Sequence, residues 1–288
     1  MKRESFYLLE LEHMLRTIFI PLLLFVWFSC FGQGNLGRTR LTDMIELPAY
    51  SNGKYKEQFA VRYRYTVSYN SKYRIPNWVA WKQTIYNYIK AYPRKESAFD
   101  NDDAIQSCPT HGHYDRKYTY GMVHRGHMCP HDASSWEEEA RNSVHCMSNI
   151  APQTPMINNG IWKRLEEKCK KWNNDNFVDL YIVCGPILNT ITDFIKFPDN
   201  TQPIGIPRKY FKAILGRKGN GSFSGIAYII NNYSGKTEYS TIDDIENETG
   251  YNLFHNLPDD IERQVESMVQ ESDWPDWSLG GKATLLNY

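Results

Sequence analysis

Residues 124–172 read HRGHMCPHDASSWEEEARNSVHCMSNIAPQTPMINNGIWKRLEEKCKKW, and the reading of the chain works outward from them. A helix is expected to start at Thr154-Pro155. Threonine can cap a helix, and proline suits its first position because its missing N–H would be unpaired there anyway. Asn158, Trp162 and Glu166 follow at intervals of four, which places them on one helical face. Lys168, Lys170 and Lys171 are expected in the last turn, where they complement the helix dipole. Upstream, six of the eight histidines lie between His111 and His145, interleaved with Cys108, Cys129 and Cys146. Such crowding marks a site or a metal-rich loop. Its sharpest piece is His124-Arg125-Gly126-His127. Arginine offers a planar fork suited to phosphate oxygens, glycine allows close backbone approach, and histidine can take a proton from water near neutrality.

Around this stretch the chain alternates strand and turn signals. Phe59–Asn70 places Val61, Tyr63, Tyr65 and Val67 on one face and Arg62, Arg64 and Thr66 on the other, the period-two pattern of one strand. For Arg62 and Arg64 a solvated strand face is expected. Asn77–Lys90 reads as a strand followed by a short helix, and residues 100–121 as loop. Val178–Cys184 is a strand ended by Gly185-Pro186, Ile226–Ile230 is another, and Glu262–Glu271 reads as a helix. Loop polarity accounts for His111, His113, His131 and His145, and Trp162 is expected in the core.

Composition bounds the rest. At 288 residues, 41% hydrophobic and 23% charged, with a mean hydropathy of −0.57, the chain is neither disordered nor polytopic in a membrane. An aromatic content of 14% favours a sheet-containing protein over a helical bundle. Formal charge is zero, but Asp243–Asp276 carries a net −10, which leaves residues 35–242 at about +9, a basic field over the main body. Ile18–Phe28 is an 11-residue apolar run between Arg16 and the small residues Ser29, Cys30, Gly32 and Gly34. It is too short to span a bilayer and has the three-part form of a secretory signal, so export without stable membrane insertion is expected. A lipid anchor at Cys30 fits less well, because Trp27 and Phe28 suit the preceding positions badly. The organisation read here is a signal peptide over 1–34, with Met1–His13 as an over-called start, a loose leader over 35–57 and one domain over 58–288. Five cysteines follow the signal segment: Cys108, Cys129, Cys146, Cys169 and Cys184. At most two bridges can form among them, and the pairing is left open.

Three blocks taken together resemble a known family: His124–His127, Ser148-Asn149-Ile150-Ala151-Pro152-Gln153, and Asn158 with Trp162, Leu165 and Glu166. They are similar to the linked motifs of the DNA/RNA non-specific endonucleases of the ββα-metal (His-Me finger) superfamily, endonuclease G-like. Weaker similarity extends from Tyr65–Tyr69 and Pro76–Val79 through Cys184–Pro186 to Ile245–Gly250. The resemblance implies an α+β fold with a central, mostly antiparallel sheet, flanking helices and a ββα-metal active-site motif. It also implies Mg²⁺-dependent hydrolysis of DNA and RNA to 5′-phosphate ends, with Mn²⁺ as a substitute. It makes His127 the general base and Asn158 the one protein ligand that holds the metal directly. Arg125, Asn149 and Glu166 become supporting residues, Glu166 through metal-bound water. One position departs from the pattern: His124 stands where the family motif has Asp.

The implied chemistry is physically coherent. A phosphodiester needs an activated water, and an imidazole can supply general-base action. Mg²⁺ keeps most of its waters and needs few protein oxygens, so one amide and a water-linked carboxylate suffice. The motif groups address phosphate, which implies DNA and RNA as partners through the backbone with no base specificity. Arg62, Arg64, Arg74 and Arg94 are candidates to track that backbone, Arg94 being the substrate-binding candidate beyond the motifs. No signal for an inhibitor, an immunity partner or an oligomeric state is present. Two other classes compete. One is a zinc module built from Cys108, His111, His113, His124, Cys129, His131, His145 and Cys146, whose spacings match no regular pair-and-pair layout. The other is a nuclease-fold nucleic-acid-binding protein weakened by His124.

Overall fold

The computed structural model describes residues 44–49, 57–90, 92–93 and 99–278. The signal segment, Cys30 and Arg94 lie outside the described residues. The strands in chain order are β1 (Glu57–Val61), β2 (Thr66–Asn70), β3 (Ile75–Thr84), β4 (His124–His127), β5 (Ile150–Gln153) and β6 (Asp179–Pro186). They continue as β7 (Asp193–Ile195), β8 (Ile204–Ile206), β9 (Lys209–Arg217), β10 (Phe223–Asn231) and β11 (Thr237–Ser240). The α-helices are α1 (Arg116–Thr119), α2 (Glu138–Ser143), α3 (Trp162–Asp175), α4 (Ile242–Thr249) and α5 (Asp259–Glu266).

A seven-stranded sheet in the order β1-β2-β3-β6-β9-β10-β11 forms the centre, and every neighbouring pair in it is antiparallel. Of its middle strands, β6 is buried along its whole length and β9 at all but its two end residues, because both faces are covered. Successive side chains alternate between two cores. Trp81, Ile182, Tyr210, Ile214 and Tyr228 join Ile150, Ile157, Trp162 and Leu165 on one face. Trp78, Tyr181, Val183, Phe211 and Leu215 join Ile242, Ile245, Leu253 and Val265 on the other. A strand covered on both faces loses its polar alternation, which is why Val178–Cys184 reads as an apolar run. The expected α+β architecture is therefore present. Gly185 is required at the close approach of β6 to β3, since a Cβ there would lie 2.4 Å from Asn77 O.

Several local expectations are corrected. Phe59–Asn70 is a hairpin, not one strand: β1 pairs antiparallel with β2, and Arg62 N–H donates to Tyr65 O across the turn. The arginines at that turn are structural. Arg62 is ion-paired with Asp102, and Arg64 is buried with its guanidinium donating to Ala133 O and Lys82 O. Arg74 is also buried, donating to Ser107 O at 2.8 Å and to Gln202 O. A buried guanidinium whose donors are spent on carbonyls cannot track a phosphate backbone. Within the stretch expected as a loose leader, residues 44–49 pack on the domain. Ile45 is buried in the second core and Ala49 N–H donates to Asn252 O. The final helix runs Asp259–Glu266, earlier than expected. The five cysteines Cys108, Cys129, Cys146, Cys169 and Cys184 are free thiols. Among the described residues no helix is long and apolar enough to cross a membrane.

Candidate active site

β4 and β5 form a separate two-stranded ribbon, in the register His124↔Gln153, Arg125↔Pro152, Gly126↔Ala151 and His127↔Ile150. The chain leaves β5 at Thr154 and enters the helix. Thr154 does not cap with its side chain as expected. Its hydroxyl donates to Asn232 O and its N–H to Asn232 Oδ1, which fastens the entry to the main sheet. The helix opens with a π-turn, Ile157–Ile161, in which Trp162 N–H donates to Ile157 O and Gly160 takes φ −110°, ψ −108°. The turn interrupts the regular α-helix between Asn158 and Trp162, yet both side chains still reach β4. Trp162 enters the core, 1% exposed, whereas Asn158 stays partly exposed. The helix then continues to Asp175, so Lys168 and Lys171 are not in its last turn; both pair with Asp276.

Two contacts fasten this helix to β4. Asn158 Nδ2 lies 3.5 Å from His124 Nδ1, and Trp162 Nε1 donates to His127 O at 3.1 Å. On β4 itself, Arg125 and His127 are two residues apart and share Phe99. The guanidinium lies 5.3 Å above the Phe99 ring and the His127 imidazole 5.3 Å from it. Arg125 donates through Nε and Nη2 to His111 O and pairs with Asp115 at 3.3 Å. These contacts brace the fork and leave Nη1 without a hydrogen-bond partner among the described residues. His145 packs edge-on against His127 at 5.2 Å, with its own Nδ1 2.9 Å from Arg141 O. His145 is buried, so loop polarity does not describe it.

Asn149 is fully buried and its carboxamide is fully used. Nδ2 donates to Cys129 O at 2.9 Å and to Val144 O at 2.8 Å, and Oδ1 accepts from Cys129 N–H at 2.9 Å. It clamps the segment that follows His127 and does not itself face the site. Glu166 sits two turns beyond Asn158, in the field of Lys212 and Asp132. Burial pushes its carboxyl up to about 7; Lys212 opposes that rise and Asp132 adds to it. Lys212 is 1% exposed, with Nζ 4.1 Å from the centre of the Trp162 ring. Reading the sequence missed Phe99 and Lys212, and it held His145 only as a loop residue or a zinc candidate; Lys212 left a signal as a lone charge inside the apolar run of β9.

A cation is implied by the resemblance, and the residues present fit one. Gln153 lies opposite His124 in the ribbon, fully buried, and among the described residues neither its Nε2 nor its Oε1 has a hydrogen-bond partner. An orphaned buried amide marks a place for water or an ion, and this one lies over Gly126, on the strand whose His124 meets Asn158. The zinc layout fares differently. Among the described residues the His and Cys side chains form no group of three within ligating distance of one another.

The architecture is that of a ββα nuclease. The chain solved in the crystal structure of the EndoG/EndoGI complex, described as revealing the mechanism of EndoG inhibition, superposes with a TM-score of 0.60 at 19% identity, over 78% of this chain and 95% of that one. Residues 46–260 match the model of the DNA/RNA non-specific endonuclease family, and the chain belongs to that family. The nuclease of Serratia marcescens is 30% identical over 72% of this chain and 79% of its own. Nuclease EXOG of Danio rerio is 31% identical over 54% of this chain, a match that spans 46% of that protein. Human mitochondrial endonuclease G is 22% identical over 61% of this chain and 60% of its own. The protein is accordingly a nucleic-acid-hydrolysing enzyme.

Proposed function

We propose that this enzyme is a divalent-metal-dependent endonuclease that cuts DNA and RNA without base specificity, with His127 as general base. The observation that carries the reading is the double attachment of the helix to β4, Asn158 at His124 and Trp162 at His127. It sets imidazole, carboxamide and guanidinium along one strip of strand. His127 takes the proton from the attacking water as that water closes on phosphorus, a contribution of typically ~10²–10⁴-fold. Phe99 fixes the imidazole and the guanidinium relative to each other. Arg125 offers its unpartnered Nη1 to a phosphoryl oxygen, where developing charge strengthens the contact. Oδ1 of Asn158 would hold the cation directly and Glu166 through water. Mg²⁺ suits so sparse a set of protein oxygens, with Mn²⁺ as a substitute. Bound there, the cation supplies charge neutralisation at the leaving oxygen. None of these groups addresses a base edge, so recognition runs through phosphates and weakens with salt. The expected products carry 5′-phosphates. Export is part of the same proposal and is motivated by Ile18–Phe28. A mature N-terminus shortly after Gly32 or Gly34 in the exported fraction tests it, and full-length chain retained in the cytoplasm refutes it.

The test is digestion of supercoiled plasmid and of RNA by the purified enzyme, with EDTA and with Mg²⁺ and Mn²⁺ series. EDTA should abolish cutting. His127→Ala should lower kcat at least ~100-fold with an unchanged melting midpoint, and Asn158→Ala should raise the metal requirement. Near-parental activity of His127→Ala discards the assigned base. A parent that binds nucleic acid without cutting, and begins to cut as His124→Asp, identifies the weakened binder instead.

A further inference from the structure

On the sheet face opposite the β4–β5 ribbon, α4 and α5 turn carboxylates toward each other. Asp243 and Glu246 are three residues apart on α4, and Glu266 ends α5. One carboxylate oxygen from each lies within 4.8 Å of the other two. Glu266 is 5% exposed, and among the described residues its Oε1 has no hydrogen-bond partner. Glu246 is half engaged: its Oε1 accepts Leu253 N–H at 2.5 Å, which orders the chain after α4. The flanking side chains Ile242, Ile245 and Val265 are core residues, so the helices cannot drift apart to relieve the charges. Nor do the neighbouring charges help. Those acting on Glu266 come from Glu246, Glu262 and Asp243, and burial with this repulsion pushes its carboxyl up to about 9.

Three convergent carboxylates, one of them nine-tenths buried, cannot all ionise unaided; a proton or a bound cation must relieve the repulsion, and a cation competes with the proton for the same oxygens. We infer that Asp243, Glu246 and Glu266 form a binding site for a divalent cation, Ca²⁺ in preference to Mg²⁺, that ties α4 to α5. The preference for Ca²⁺ follows from the ligands: three carboxylates from two helices suit a cation that accepts protein oxygens at ~2.3–2.6 Å in flexible geometry, whereas Mg²⁺ dehydrates reluctantly and demands octahedral order. The site belongs to the second core and shares no residue with the proposed nuclease centre in the first. Its role is structural, and it stands whether or not the assignment of His127 survives.

The experiment uses the Asn158→Ala protein, so that metal held at the ribbon does not contribute, stripped with EDTA and then dialysed. Thermal unfolding is followed against CaCl₂ and, separately, MgCl₂. Calcium at ~100-fold its Kd should raise the midpoint by ~5–10 °C, with magnesium giving a smaller rise. Glu266→Gln on the same background should abolish the calcium-dependent rise while leaving the metal-free protein folded and at least as stable. A rise that survives Glu266→Gln overturns the site, as does the absence of any rise up to ~10 mM calcium, beyond the range of weak protein calcium sites. Equal rises with both metals overturn the stated preference for Ca²⁺.

Discussion

Asn149 separates a residue that touches substrate from one that holds the machinery in place. The change Asn149→Ala removes three buried hydrogen bonds of 2.8–2.9 Å and strands Cys129 N–H, Cys129 O and Val144 O away from water. An unsatisfied buried group costs about 1–3 kcal/mol, and carbonyls with a second lone pair fall at the low end, so the sum is about 3–5 kcal/mol. At about 2–4 °C per kcal/mol for a domain of this size, the melting midpoint should fall by about 6–20 °C. The ribbon itself should persist, because Met128 N–H still donates to Asn149 O and the β4–β5 register does not use the side chain. Plasmid cutting at low temperature, normalised to the folded fraction from circular dichroism, should therefore fall less than about 10-fold, far short of the loss in His127→Ala. A variant that melts with the parent yet cuts as poorly as His127→Ala would refute this reasoning and return Asn149 to the reacting phosphate.

Two further outcomes follow from the same packing. The folded pKa of Glu166, about 7, lies above its ordinary 4.5, so the folded state holds the extra proton. Metal-free stability should then fall as pH rises from about 4.5 to about 7, by at most ~3 kcal/mol, and Glu166→Gln should flatten the melting profile; an unchanged slope contradicts the burial argument. Gly185→Ala forces a methyl to within 2.4 Å of Asn77 O at the centre of the sheet, so overpacking should cost about 1–3 kcal/mol or more in urea unfolding. A neutral result there would mean that β3 and β6 are less closely apposed than described.

What was legible in the sequence follows the range of the forces involved. Strands β6 and β10 could be read because burial on both faces writes itself into consecutive residues. The hairpin within Phe59–Asn70 could not, because its break depends on partners far along the chain. Arg62 is held by Asp102 and Arg64 by Ala133 O, 40 and 69 residues away. Unbroken alternation hid both. Phe99 carries no local mark, and the histidine crowding that includes His145 does not say that its ring packs against His127, since that contact is specified by the tertiary fold and not by spacing.

The helix at the site gives the sharpest case. Spacing of four is a statement about a regular α-helix, and it placed Asn158, Trp162 and Glu166 side by side. The π-turn breaks the regularity between the first and second of them, at a glycine whose backbone is not helical. The distortion does not part the two side chains: Asn158, partly exposed, reaches His124, and Trp162, buried in the first core, hands its indole N–H to His127 O, so both still meet β4. The spacing in the sequence therefore identified residues that act together, although the backbone between them is not the regular helix that the spacing implies.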